Sequence, residues 1–303
     1  MKDDILTLLD LDVEDFDVLI DRSLELKRRY LAGIVDRPLQ GKVLGLIFDK
    51  PSTRTRVSFE AAMVQLGGVP IFLNVEDTQL IRNEPIGDTG RVLSGYLDGI
   101  VVRTYSQDLL QELAAAADIP VINGLTDMYH PCQILSDLLT IKEKKGSIYE
   151  LKIAWVGDGN NVAHSWLNAA SILGLSLVMA CPDGYQPNRE VLARSLERAG
   201  NKIKVTDDPE EAVRDADVIY TDVWASMGQE GEHSFRRKIF KEYQVNASLV
   251  AKAKSDVMVM HCLPAHRGEE ITADVLEGPN SVVWDQAENK LHMHKAILER
   301  LIK

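Results

Sequence analysis

Along the whole chain, short runs of branched and aliphatic residues alternate with segments of helical spacing, and this alternation limits the fold more than any other feature. Val43 to Phe48 reads as a buried strand, followed by Val69 to Leu73, Gly99 to Arg103 and Pro120 to Ile122. Between and around them the apolar positions recur at helical intervals: residues 12 to 32, then Val57, Ala61 and Val64 up to Gly67-Gly68, then 109 to 117 and 134 to 144. The rhythm then restarts. Strands are expected at 152–157, 176–180, 202–205, 218–220, 257–261 and 282–284, with helices at 162–173, 191–199 and 209–214 and a closing helix at 289–302. Strands separated by helices pair in parallel, so the fold class is α/β, with two doubly wound parallel-sheet domains. Sheets of this kind bind ligands beyond the carboxyl ends of their strands. The chain's polar motifs stand at those positions.

Composition narrows the partners. The chain has 303 residues, and 34 Lys plus Arg against 46 Asp plus Glu leave a formal charge of −12. That balance disfavours nucleic acid or an anionic membrane as the main partner, and an anionic substrate must be drawn by a local basic pocket. The longest apolar runs are far short of a membrane span. The acidic start, Met1-Lys2-Asp3-Asp4, does not read as a targeting segment. Cys132, Cys181 and Cys262 show no metal-ligand spacing, and such a sparse, odd count fits reduced thiols in the cytoplasm.

Ser52-Thr53-Arg54-Thr55-Arg56 follows the first strand and opens a helix. Free N–H groups at a helix start favour an anion, three hydroxyls donate to phosphate oxygens, and two guanidiniums add charge-assisted bonds. A single hydroxyl there would be only a helix cap. Five such residues in a row point to an oxyanion site. His130-Pro131-Cys132-Gln133 stands between a strand and a helix and presents a ring N–H and an amide, while Arg103 ends the third strand. In the second half, Gly157-Asp158-Gly159-Asn160-Asn161 begins like a dinucleotide fingerprint. Val162 fills the third glycine position, however, and no acid ends the next strand. Asp222, with Ser226-Met227-Gly228 close behind, suits a ligand with an ammonium and an aliphatic stem. Cys262, beside His261, is either a buried structural thiol or part of a site. Gln79, Arg82 and Asn83 lie in a long polar stretch that reads as a solvated loop, a lid or an arm to a neighbour. His292 and His294 do not share a helix face and are expected at the surface.

Together, and in this order, the motifs are similar to those of the carbamoyltransferase family, and within it to the ornithine-using branch. The similarity runs over essentially the whole chain. Ser52-Thr53-Arg54-Thr55-Arg56 resembles the family's carbamoyl-phosphate signature, His130-Pro131-Cys132-Gln133 its carbamoyl-contacting motif, and Asp222 with Ser226-Met227-Gly228 its ornithine loop. His261-Cys262-Leu263-Pro264 resembles a motif of the ornithine enzymes. Aspartate enzymes place an arginine directly after that proline, whereas Ala265 stands there in this chain. Lys290 occupies a position where family members usually carry Arg, keeping the charge and losing the bidentate fork.

The resemblance implies transfer of a carbamoyl group from carbamoyl phosphate to the δ-amine of ornithine, with no metal or organic cofactor. It implies that residues 1–140, with the C-terminal helix 286–303 packed back on them, bind carbamoyl phosphate, and that residues 141–285 bind ornithine. Ser52, Thr53, Arg54, Thr55, Gln79, Arg103, His130, Pro131, Cys132, Gln133, Cys262, Leu263 and Lys290 would then meet carbamoyl phosphate. Asn161, Asp222, Ser226 and Met227 would meet ornithine, and Arg54, Arg103, His130, Asp222 and Cys262 would carry the chemistry. Gln79 would serve its own or a neighbour's site, and Asn83 is not expected to be catalytic. The family also implies a homotrimer or a multiple of trimers. Three other readings remain at this stage: a relative acting on putrescine or an acetylated ornithine, an oxidoreductase built on the Gly157 turn, and a non-catalytic homologue.

Overall fold

The computed structural model describes residues 3–74, 84–225 and 230–303, and these divide into two compact units, residues 1–139 with 288–303 and residues 140–287. Gln79, Arg82, Asn83, Ser226, Met227 and Gly228 lie outside the described residues.

The first unit runs α1 (Val13–Leu31), β1 (Val43–Phe48), α2 (Arg54–Gln65), β2 (Val69–Asn74), α3 (Ile86–Ser94), β3 (Gly99–Arg103), α4 (Gln107–Ala116), β4 (Val121–Leu125) and α5 (Pro131–Lys145). Its four strands lie in the order β2-β1-β3-β4 and pair in parallel. β1, β3 and β4 are buried almost throughout, as strands covered on both faces must be. α3 has no clear helical signal because three of its first five residues are Gly or Thr. Gly90 is small for a reason: a Cβ there would meet the Leu113 carbonyl of α4 at 3.1 Å.

The second unit runs β5 (Lys152–Val156), α6 (Asn161–Leu173), β6 (Ser176–Ala180), α7 (Arg189–Ala199), β7 (Ile203–Thr206), α8 (Pro209–Val213), β8 (Val218–Thr221), α9 (His233–Ile239), α10 (Ala247–Val250), β9 (Met258–His261), α11 (Ala273–Leu276) and the start of α12 (Val283–Leu301). Its strand order is β7-β6-β5-β8-β9, again all parallel. Trp155 stacks on Tyr220 at 5.4 Å and Trp166 meets the same ring edge-on at 5.6 Å, which fixes α6 against the sheet.

Residues 282–284, expected as a strand, instead lead into α12. Val282 still donates to the Val259 carbonyl beside β9, but its own carbonyl accepts from Gln286 and opens the helix. From Glu288 onward α12 belongs to the first unit and packs on α1 and α2. Arg22 grips Glu299 with two bonds of 2.8 Å, and Lys27 donates to Asn289 Oδ1 at 2.9 Å. His292 and His294 are buried, contrary to the surface expectation. The centre of this helix is enclosed on every side, so its polar residues carry no signal of exposure. The His294 ring lies flat on Phe59 at 3.7 Å, and its Nδ1 is 2.9 Å from Ser58 Oγ.

Register aligns the strand ends. Phe48 pairs with Asn74 and with Arg103 in one sheet, and Val156 with Ala180 and Thr221, and Thr221 with His261, in the other. The segments that follow these residues therefore leave each sheet side by side. In the first sheet the connections part between β1 and β3, and in the second between β5 and β8. At such switch points the two loops diverge and leave a crevice.

Candidate active site

Ser52, Thr53 and Arg54 follow β1, and Arg103 ends β3, so both flank the first switch point. Thr53 has helical backbone angles and makes no capping bond among the described residues, which leaves its hydroxyl uncommitted to the helix start. Thr55 is buried at the second position of α2, and Arg54 is partly exposed. The second guanidinium of the motif goes elsewhere. Arg56 donates to Glu60 at 2.9 Å and lies 3.4 Å over the Phe72 ring, so it braces α2 against β2. Lys50, which the motif analysis did not single out, is buried, pairs with Asp127 and sits 4.0 Å over Tyr105.

His130 stands before α5 and is buried. Burial, and then the basic neighbours Lys290, Arg103, His294 and Arg54, hold its ring well below the ordinary imidazole value. These groups come from α12, the end of β3 and the start of α2. A neutral imidazole in a cationic pocket is a hydrogen-bonding group rather than a charge. Cys132 points into the core: its thiol contacts the Asn123 carbonyl at 3.3 Å, and burial pushes it up to about 12. It is a packing residue here, and Pro131 supplies the first residue of α5. Gln133 is buried, accepts from Lys290 Nζ at 2.7 Å and donates to Asp137 at 2.8 Å. Its amide orientation is thereby set, and its oxygen keeps one acceptor position.

In the second unit, Asp222 follows β8 beside the turn after β5. Its Oδ2 accepts from Asn160 Nδ2 at 2.8 Å, and its Oδ1 accepts from the Val223 N–H at 2.8 Å and from the Cys262 thiol at 3.0 Å. Asn160 does a second job: its Oδ1 caps α6 by accepting from Val162 and Ala163. Asn161, the residue carried over from the family motif, is the first residue of α6 and is partly buried. Asp158 is buried and pushed up to about 6 by burial, with Arg236 pulling the other way. Arg236 reaches Asp158 at 3.3 Å, the Trp224 carbonyl at 2.8 Å and Glu232 at 3.0 Å, tying the turn after β5 to the segment after β8.

Cys262 leaves β9 next to Asp222 because Thr221 and His261 are register partners. Leu263 has φ of 58°, a left-handed conformation that costs an ordinary residue on the order of 1–2 kcal/mol. Its N–H donates to His261 Nδ1 at 2.8 Å, which helps to hold it. That bond assigns the ring proton to Nε2, which faces the buried Glu270 at 3.0 Å. Glu270, Lys50 and Arg236 belong to no recognised short motif, and Asp158 and Asn160 stand in the Gly157 turn without being singled out by it. Only the preference of buried charges for partners could have flagged them.

The Gly157 turn is closed to a dinucleotide by the chain itself. A Cβ on Gly159 would lie 2.2 Å from Pro187 N and 2.4 Å from the Gln186 carbonyl carbon. In nucleotide-binding turns this glycine admits the pyrophosphate; here it admits the Gln186-Pro187 backbone.

Two family models match: the aspartate/ornithine carbamoyltransferase carbamoyl-phosphate-binding domain over residues 3–143, and the aspartate/ornithine-binding domain of the same family over residues 149–301. The chain is 57% identical over 302 residues to an ornithine carbamoyltransferase of Syntrophus aciditrophicus, covering 100% of both chains. It is 58% identical to one from Desulfotalea psychrophila, also over 100% of both. Among solved structures it is similar to the ornithine carbamoyltransferase of Pyrococcus furiosus, with a TM-score of 0.95 and 53% identity over 99% of this chain and 96% of that one.

Proposed function

The chain belongs to the aspartate/ornithine carbamoyltransferase family, and on that premise we infer that it is an enzyme transferring the carbamoyl group of carbamoyl phosphate to the δ-amine of L-ornithine, giving L-citrulline and phosphate. The observation that carries the reading within this chain is that Arg54 and Arg103 follow the adjacent ends of β1 and β3, while His130 precedes α5 and Lys290 of α12 bonds Gln133 three residues further on.

In this reading the Ser52, Thr53 and Thr55 hydroxyls, with the Arg54 and Arg103 guanidiniums, hold the phosphate, and Gln79 adds to them from its own or a neighbouring subunit. His130, held neutral, donates a ring N–H to the carbamoyl oxygen without losing a proton to it. Gln133 accepts from the carbamoyl NH₂ through its remaining acceptor position, steadied by Lys290 and Asp137. As the δ-nitrogen attacks the carbonyl carbon, charge moves first to the carbonyl oxygen. It passes to the phosphate oxygen as the C–O bond breaks. Each preorganised donor facing that charge is worth roughly 3–4 kcal/mol in comparable sites.

The ornithine end rests on Asp222. A carboxylate offers about four acceptor positions. Asn160, Val223 and Cys262 occupy three, all but one of the four. The last is open to the α-ammonium, with Asn161, Ser226 and Met227 completing that end. Because Cys262 donates its S–H to Asp222, its sulfur can accept a hydrogen bond from the δ-nitrogen, and the proton that nitrogen sheds on forming the C–N bond goes to the departing phosphate. Leu263 lines the reacting centre beside it.

A charged α-ammonium is what Asp222 selects, so a substrate panel tests the reading. Citrulline should form from ornithine, with far lower turnover on putrescine or Nα-acetylornithine. Absence of citrulline from ornithine would reject it.

Self-association as a homotrimer, or a multiple of one, is part of the proposal. Val57 and Val64 on α2 and Val69 and Ile71 on edge strand β2 are exposed apolar residues, which supports a covered face there. Light scattering should give a multiple of three times 33.8 kDa. No helix among the described residues is long and apolar enough to cross a membrane. A cytoplasmic place in arginine metabolism is part of the same proposal, and three free cysteines fit it.

A further inference from the structure

Away from the groups assigned to substrates, three side chains of the second unit converge with the chemistry of a metal site. His233 opens α9, while His266 and Glu269 lie in the loop after β9. Glu269 Oε2 is 3.0 Å from His233 Nε2 and 3.9 Å from His266 Nδ1, and all three ligand atoms lie within 4.8 Å of one another.

We propose that His233, His266 and Glu269 form a divalent-cation site of the Zn²⁺ type, clamping the start of α9 to the loop that follows Cys262. Zinc binds imidazole nitrogen and carboxylate oxygen at about 2.0–2.2 Å, and a tetrahedral arrangement places such ligands roughly 3.3 Å apart. The present spacings bracket that value. Closing the widest one takes a shift of at most about 1.5 Å, within the reach of two half-exposed histidine side chains. One carboxylate oxygen faces both rings, so the metal would replace a crowded hydrogen-bonding arrangement in which only His233 is close enough to bond. The other oxygen is 3.6 Å from Arg237, an exposed side chain that can orient the carboxylate from outside. The Glu269 carbonyl accepts from Gln244 at 2.8 Å, which fixes the backbone that presents this ligand. Two imidazoles favour zinc, cobalt or nickel over magnesium or calcium. The net charge of −12 draws cations to the surface. A second group with similar spacing, Asp222, His261 and Cys262, is committed to other bonds: both ring nitrogens of His261 and the Cys262 thiol already have partners.

The test is a Co²⁺ titration of the EDTA-treated full-length enzyme, read by its visible d–d absorption, with Zn²⁺ displacing the signal. The expected result is one Co²⁺ per chain at a nitrogen and oxygen site, without a sulfur-to-cobalt charge-transfer band. In H233N/H266N the affinity should fall by more than about 100-fold, the upper end of what even an outer-shell change costs a metal site. Citrulline formation by the metal-free variant should match that of the metal-free parent. Should the double variant fail to fold, E269Q carries the same expectation. The proposal is overturned if the parent binds no Co²⁺ or if the folded variant binds it unchanged. It is also overturned if the signal carries a sulfur band that C262S removes.

Discussion

Replacing Asp222 by Asn tests the ornithine end of the site, because the surroundings of this side chain leave an amide no good orientation. Asp222 accepts from Asn160 on one oxygen and from Val223 and Cys262 on the other. An Asn side chain must turn its NH₂ toward one of these donors. Turned toward Asn160, it meets another NH₂, and Asn160 cannot flip because its own oxygen caps α6 at 2.9 and 3.2 Å. Turned the other way, it meets the Val223 N–H. Either arrangement forfeits a bond to a charged group, about 1.5–3 kcal/mol of stability. The larger effect falls on the substrate. Removing one member of a desolvated charge pair costs about 2–5 kcal/mol, which is about 30-fold to several thousand-fold in kcat/KM. Steady-state citrulline assays with each substrate varied in turn should place that loss on ornithine. The KM for carbamoyl phosphate should stay within about twofold, since none of the residues assigned to it in the first unit changes. A D222N enzyme that is folded by circular dichroism and within about threefold of the parent on ornithine would refute the reasoning.

Arg54→Ala should lower kcat/KM by at least about 100-fold, the cost of one transition-state donor, with the melting temperature little changed because the side chain is partly exposed. Cys262→Ser keeps a donor to Asp222 but replaces the sulfur proposed to face the amine. Its loss, about 2- to 13-fold at 0.5–1.5 kcal/mol, should appear in ornithine kinetics and spare carbamoyl-phosphate binding. Acid should destabilise the fold through His130 and His294. Both are held below 6.5, so the unfolded chain takes up protons that the native one refuses, and stability present above 6.5 is lost as pH falls. Asp158 acts oppositely: raised to about 6 from 3.8, it binds an extra proton in the native state across that window. Urea titrations at pH 5 and 6 should therefore show a steeper acid loss in Asp158→Asn than in the parent. The difference between the two pH values should be about 1 kcal/mol, and equal slopes would contradict the assigned cause.

The strands of both sheets were legible because a parallel strand covered on both faces must be apolar along its whole length. Val43–Phe48 and residues 99–102 show that pattern without interruption. The helices α1 and α6 were legible from their apolar period, and the structure adds Asp12 and Asn160 as their caps. Where a helix is buried all round, or built from small residues to admit a neighbour, the pattern disappears. This is why the buried His294 and the helix α3 escaped the reading. The run 282–284 misled because branched residues suit the first turn of a helix beside a sheet as well as they suit a strand.

The local order of the chain was enough to nominate the groups proposed to meet substrates, since hydroxyls, guanidiniums, a histidine and an acid directly after apolar strands have few other reasons to be there. It carried no information about which of them face one another. The parallel register and the position of each switch point bring Arg54 and Arg103 to one end of the first sheet and Asp222 and Cys262 to one end of the second. They also lay Arg56 over the Phe72 ring and send Cys132 to the core, and they set Lys290 on Gln133 across 157 residues of sequence. Those outcomes depend on burial and on partners distant along the chain, and a hydrogen bond or a desolvated charge exists only once both partners have been brought together.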